Sequence, residues 1–109
     1  MDSLNRQEIG KEMIRRLVGQ FQPEKIILFG SCGRGTAGSD SDIDLLVVMD
    51  IQGTKRSKTV DMYRLLGGMG ISKDIVVVTP EEIKKYRSVP GTIVYQALSE
   101  GKILYERAS

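Results

Sequence analysis

The sequence contains no histidine. That absence removes histidine-based triads, imidazole general bases and imidazole metal ligands, so any metal would have to sit on oxygen. Cysteine is nearly absent too. With Cys32 alone there is neither an internal disulfide nor a thiolate zinc cluster, a pattern that fits a reducing compartment. No apolar run reaches the ~18 residues that a membrane span needs, and the polar N-terminus lacks a signal-peptide core. A soluble cytoplasmic protein is the expectation. A dominant charge is missing as well: 16 Lys and Arg stand against 14 Asp and Glu, for a net charge of +2. No global field favours a membrane or direct nucleic-acid binding, and polyanion binding would have to be local. The 109 residues suffice for one core but not for a separate substrate-recognition domain, so a single domain over residues 1–109 is expected. Whatever the chain acts on must be held by this domain or by a partner.

What is present begins with an amphipathic pattern. From Ser3 to Phe21, Ile9, Met13, Leu17 and Phe21 recur every four positions, and Ile14 and Val18 widen the stripe, which predicts a helix with one buried face stopped before Pro23. Lys25 to Phe29 reads as a buried strand, Gly30 to Ser41 as a Gly- and Ser-rich loop, and Asp42 to Met49 as a second strand. The inner part of that second strand is continuously apolar, as expected when both sheet faces are covered. Val60, Tyr63 and Leu66, with Leu65 and Met69, predict a helix from a Thr54 cap to about Met69, closed by Gly67, Gly68 and Gly70. A third strand follows over Asp74 to Val78. Thr79-Pro80-Glu81-Glu82 is the clearest helix start in the chain: cap, proline at the first helical position, and Glu three after the cap. A last helix from about Pro90 to Glu100 ends at Gly101, and Lys102 to Glu106 forms an edge strand or extended tail. The fold class is therefore α/β, a small mixed sheet flanked by helices.

Geometry brings three carboxylates together. A short loop joins the first two strands, which makes them antiparallel neighbours. A helix joins the second and third, which favours a parallel crossover and sets the start of one beside the start of the other. Asp74 then lands near Asp42 and Asp44, which share a strand face while Ile43 turns into the core. Like charges so close are costly unless a cation or proton joins them, and three hard oxygen donors suit Mg²⁺ or Mn²⁺ carrying a phosphate substrate. Gly30-Ser31 just ahead of the cluster offers close backbone approach, N–H donors and a hydroxyl to phosphate oxygens, and Arg34 can reach a phosphate as a forked donor.

Gly30-Ser31, Arg34-Gly35, Ser41-Asp42-Ile43-Asp44-Leu45 and a later Asp74 in an apolar strand together resemble the nucleotidyltransferase superfamily related to DNA polymerase beta. The size and the Gly-Ser-x-x-Arg-Gly form resemble its minimal nucleotidyltransferase (MNT) branch, often the antitoxin partner of HEPN-domain ribonuclease toxins. The likeness spans nearly the whole chain; Gly33 departs from the alanine common in relatives. It implies that Gly30 and Ser31 contact a triphosphate, to which Arg34, by its own chemistry, is a candidate further ligand. Asp42 and Asp44 would bind metal, and Asp74 would complete the metal site or deprotonate the acceptor. It further implies transfer of AMP from ATP to a hydroxyl acceptor, in this branch a tyrosine of the HEPN partner, which silences the toxin.

Blander readings stand beside these. An Asp-x-Asp at a strand start is usually a solvated turn, Asp74 alone a charge at a strand edge, and Arg34 equally an ion-pair partner of Asp40. Cys32 reads as a small semi-buried residue, and the cations Lys55, Arg56, Lys58, Lys84, Lys85 and Arg87 as solvated helix faces. Val94 and Leu98 on the last helix are candidates for a partner surface. Against the enzyme stands a non-catalytic antitoxin or nucleotide-binding subunit that neutralises its partner by complex formation. A small-molecule transferase would need an acceptor pocket that a homo-oligomer could supply.

Overall fold

The computed structural model describes residues 6–30, 43–69 and 72–108. Helix α1 (Arg6–Phe21) leads into β1 (Lys25–Phe29), and β2 (Ile43–Val48) follows. Next come α2 (Lys55–Leu65), β3 (Lys73–Val78), α3 (Pro80–Tyr86), α4 (Ile93–Glu100) and β4 (Lys102–Glu106). The sheet is mixed, in the order β3-β2-β1-β4, with β1 antiparallel to β2 and β4 and β2 parallel to β3. The expected α/β class and the expected neighbours are thus what the chain forms, and Lys102–Glu106 is an edge strand.

Alternation along β2 divides the apolar residues between two layers. Ile43, Leu45 and Val47 turn to one face, where Met13 and Leu17 of α1 and Met62 of α2 close a core with Ile26, Ile75 and Val77. Leu46 and Val48 turn to the other, against Ile27, Phe29 and Val78 and against Val94 and Ala97 of α4. The α1 stripe behaves as its spacing predicts: Met13 and Leu17 are fully buried, and Ile9, Ile14, Val18 and Phe21 pack around them. Arg16 fastens the α1 and α2 layers together, its Nη1 donating to the Leu65 carbonyl at 3.3 Å while its Nε donates to Glu12 at 2.7 Å. Glu12 also receives Arg15, and the two guanidiniums hold its carboxyl down to about 2.

Several boundaries and faces differ from the expectation. The last helix begins at Ile93 rather than Pro90, because the Thr92 side chain accepts the Tyr95 N–H and serves as the cap. Of the two candidates for a partner surface, Val94 is buried against β1 and β2, whereas Leu98 is exposed. α2 closes at Leu66 rather than near Met69, and it buries a narrower strip than its periodicity suggests: Met62 and Leu66 are interior, but Val60 and Tyr63 are 41% and 39% exposed. Thr54 caps it as expected, accepting the Ser57 N–H at 3.1 Å. The capping box of α3 is complete, with Thr79 and Glu82 each accepting the other's backbone N–H. Burial of Glu82 works to raise its pKa, but the Lys55 ammonium from the start of α2 and the Thr79 N–H outweigh it, and the carboxyl sits below its ordinary range.

Gly101 shows how closely α4 lies on the sheet. A Cβ there would stand 2.6 Å from Ile27 Cγ2 and 2.8 Å from the Leu28 carbonyl, so only glycine permits the turn from α4 into β4 at this separation.

Candidate functional site: the carboxylate edge of the sheet

The site is built where β1 ends and β2 and β3 begin. In β2 the face that carries Leu46 and Val48 carries Asp44 at its outer end. In β3 the same face carries Asp74 ahead of Val76 and Val78. The parallel ladder pairs Asp44 with Asp74, and strands lie about 4.8 Å apart, so the two carboxylates occupy neighbouring positions on one face. The ladder is tightened at this end by the Ile43 N–H, which donates to the Ser72 carbonyl at 3.0 Å. Asp44 is half-buried and Asp74 exposed, so one carboxylate lies at the lip of the core and the other at its margin.

On the opposite side Asp44 pairs with Phe29, the last residue of β1, which brings Gly30 against its side chain. Gly30 is buried with φ +70°, and a Cβ on it would lie 2.2 Å from Asp44 Oδ2. The glycine therefore meets two demands at once: a left-handed backbone at the end of β1, and space for a carboxylate directly above it. Gly30, Asp44 and Asp74 are thus gathered at one edge, as the spacing predicts. Ser31, Arg34, Asp42, Asp40 and Cys32 lie outside the described residues.

As a donor set, adjacent aspartates suit a hard divalent cation such as Mg²⁺ or Mn²⁺ better than a softer metal. Among the described residues no group of three or more His, Cys, Asp or Glu side chains could hold a metal; Asp42, the expected third carboxylate, is outside them. A separate groove of about 430 Å³ lies at the far end of the strands, lined by Lys25, Val48, Ile83, Lys84, Arg87 and Leu98 among others, and neither aspartate borders it.

One contact at this edge was hidden from sequence reasoning. Tyr63, read as part of the apolar stripe of α2, uses its hydroxyl to accept the Ile75 N–H at 2.9 Å, beside Asp74. A tyrosine's polar tip is the signal that it need not be core.

An acidic end on two neighbouring strands, the central β2 reached through an antiparallel connection and the outer β3 through a helical crossover, with a glycine pressed against a carboxylate, is the framework of a nucleotidyltransferase. The chain belongs to the polymerase beta nucleotidyltransferase family, whose model, described as "Polymerase beta, Nucleotidyltransferase", matches residues 11–109. A Methanocaldococcus jannaschii protein to which protein adenylyltransferase activity is ascribed is 30% identical over 105 residues, covering 94% of this chain and 100% of its own. Two crystal structures share the fold. One is a toxin–antitoxin with AMP-PNP: TM-score 0.60, 22% identity, 89% of this chain and 73% of that one. The other is a tri-AMPylated Shewanella oneidensis HEPN toxin in complex with MNT antitoxin: TM-score 0.60, 21% identity, 93% of this chain and 72% of that one. Among the described residues no helix is long and apolar enough to cross a membrane.

Proposed function

We propose that this chain is a Mg²⁺- or Mn²⁺-dependent nucleotidyltransferase, a single catalytic domain that moves AMP from ATP to a protein hydroxyl, a tyrosine of a HEPN-type toxin, and so acts as an antitoxin. The observation that carries the reading is the register pairing of Asp44 with Asp74 beside Gly30, whose missing side chain leaves room for the Asp44 carboxylate. The adenylyltransferase relative supports the choice of AMP, and the AMP-PNP complex and the AMPylated HEPN complex support ATP and the acceptor.

In this reading Asp42, Asp44 and Asp74 would hold the cation, whose positive charge would offset the negative charge of the triphosphate during transfer. Gly30 and Ser31 align the phosphates along the loop after β1, and Arg34 reaches one of them with its fork. Asp74, the exposed carboxylate, would complete that metal site or else take the proton as the acceptor oxygen forms its bond to the α-phosphorus and the bond to pyrophosphate breaks. In this reading the acceptor hydroxyl is supplied by the partner protein.

The test is to incubate the chain with Mg²⁺, labelled ATP and a candidate HEPN protein. Label should pass to the partner and vanish in Asp42→Ala and Asp44→Ala. Variants that transfer no label yet protect cells from the toxin as well as the wild type does would mean that neutralisation works by binding alone.

A further inference from the structure

We propose that Tyr63 is a positioning residue for the Asp74 carboxylate, and through it for the divalent cation; the inference rests on the metal-site reading above. Among the described residues β3 is an edge strand, with its ladder running to β2. That side is well fixed at the level of the site, by the pairing of Asp44 with Asp74 and by the Ile43 N–H on the Ser72 carbonyl. The outer side of an edge strand ordinarily faces water, which leaves its backbone free to shift at the residue whose carboxylate must be held.

Tyr63 supplies the missing restraint. It stands on α2, the helix that carries the chain from β2 to β3, and its hydroxyl accepts the Ile75 N–H at 2.9 Å. Ile75 directly follows Asp74, and its own side chain is locked into the core beneath α1 and α2. The peptide unit joining the two residues is therefore held by the Tyr63 hydroxyl at its edge and by the Ile75 side chain below. The exposure of Tyr63 tells against a packing role: a ring placed for burial would lie under the helix like Met62, which is fully covered. Carboxylates bind a small hard cation well only when they are fixed in place, and groups that orient metal ligands count in affinity.

The full chain is compared with Tyr63→Phe, which keeps the ring and removes the hydroxyl, and with Asp74→Asn. Three quantities are read: Mn²⁺ affinity with AMP-PNP present, from the electron paramagnetic signal of the free ion; amide exchange at Ile75; and the thermal midpoint. Tyr63→Phe should speed exchange at Ile75 and weaken Mn²⁺ by about three- to tenfold, as expected for one lost hydrogen bond. Asp74→Asn should weaken Mn²⁺ further. Unchanged Mn²⁺ affinity in Tyr63→Phe, with or without a lower midpoint, while Asp74→Asn loses the ion, would overturn the positioning role and leave the metal-site reading intact. Unchanged affinity in Asp74→Asn would overturn that reading and the proposal together.

Discussion

Substituting Gly30 by alanine probes the tightest approach in the site. The new Cβ would stand 2.2 Å from Asp44 Oδ2, where ordinary contact begins near 3.4 Å, so the carboxylate oxygen must retreat by about 1.2 Å. Two costs follow. A non-glycine residue at φ +70° loses about 1–2 kcal/mol, and driving Asp44 off its rotamer costs about 1 kcal/mol more. The sum, about 2–3 kcal/mol, should lower the thermal midpoint by on the order of 10 °C for a domain of this size. If Asp44 holds the cation as proposed, displacing it by that distance should cost about a hundredfold in transfer rate. The two costs separate in an Asp44→Ala background, where Oδ2 and Cγ are gone and the Asp44 Cβ, at 3.6 Å, is in ordinary contact. There Gly30→Ala should cost only the backbone share, and the difference of about 1 kcal/mol is the coupling read by urea denaturation of all four proteins. Equal costs in both backgrounds would refute the steric argument, and full activity of Gly30→Ala would refute the claim that this apposition serves the reaction.

Glu12 should make α1 acid-sensitive. Its folded pKa, about 2, lies below its ordinary value of 4.5, so the pair's contribution is present above 4.5 and fades as pH falls through 2. Urea midpoints of wild type and Glu12→Gln should differ at pH 6 and converge towards pH 2; parallel curves would sink the assignment. Gly101→Ala places a Cβ against two backbone carbonyls and Ile27, and since backbone cannot swing aside it should cost about 3 kcal/mol in urea denaturation. Thr79→Ala breaks the capping box of α3 and should cost about 1 kcal/mol, with faster amide exchange at Glu82 as its local signature.

The parts of the fold that were legible in the sequence were those where local chemistry and long-range geometry agree. A short loop between two apolar runs has few ways to close, and it led directly to the Phe29–Asp44 pairing. A helix between two strands led to the parallel pairing of Asp44 with Asp74. What escaped was decided by competition. Pro90 looked like the first residue of α4, but Thr92 offered a better cap three residues before Tyr95, and the helix took that start. The α2 stripe promised burial for Val60 and Tyr63, but a helix beside an edge strand covers less than one over the centre. Only Met62 and Leu66 reach the interior. The hydroxyl of Tyr63 then found a backbone partner that no periodicity could have indicated.

On the face beneath α4, β2 reads Asp44, Leu46, Val48 and β3 reads Asp74, Val76, Val78: each strand runs apolar until its outermost position. A leucine or valine in place of Asp44 would lengthen the hydrophobic strip rather than break it. Such a chain keeps the apolar face that folds the domain while losing a carboxylate that the proposed chemistry needs. Abundance and solubility would then say nothing about whether a copy works, and a lineage could shed the chemistry while keeping the domain.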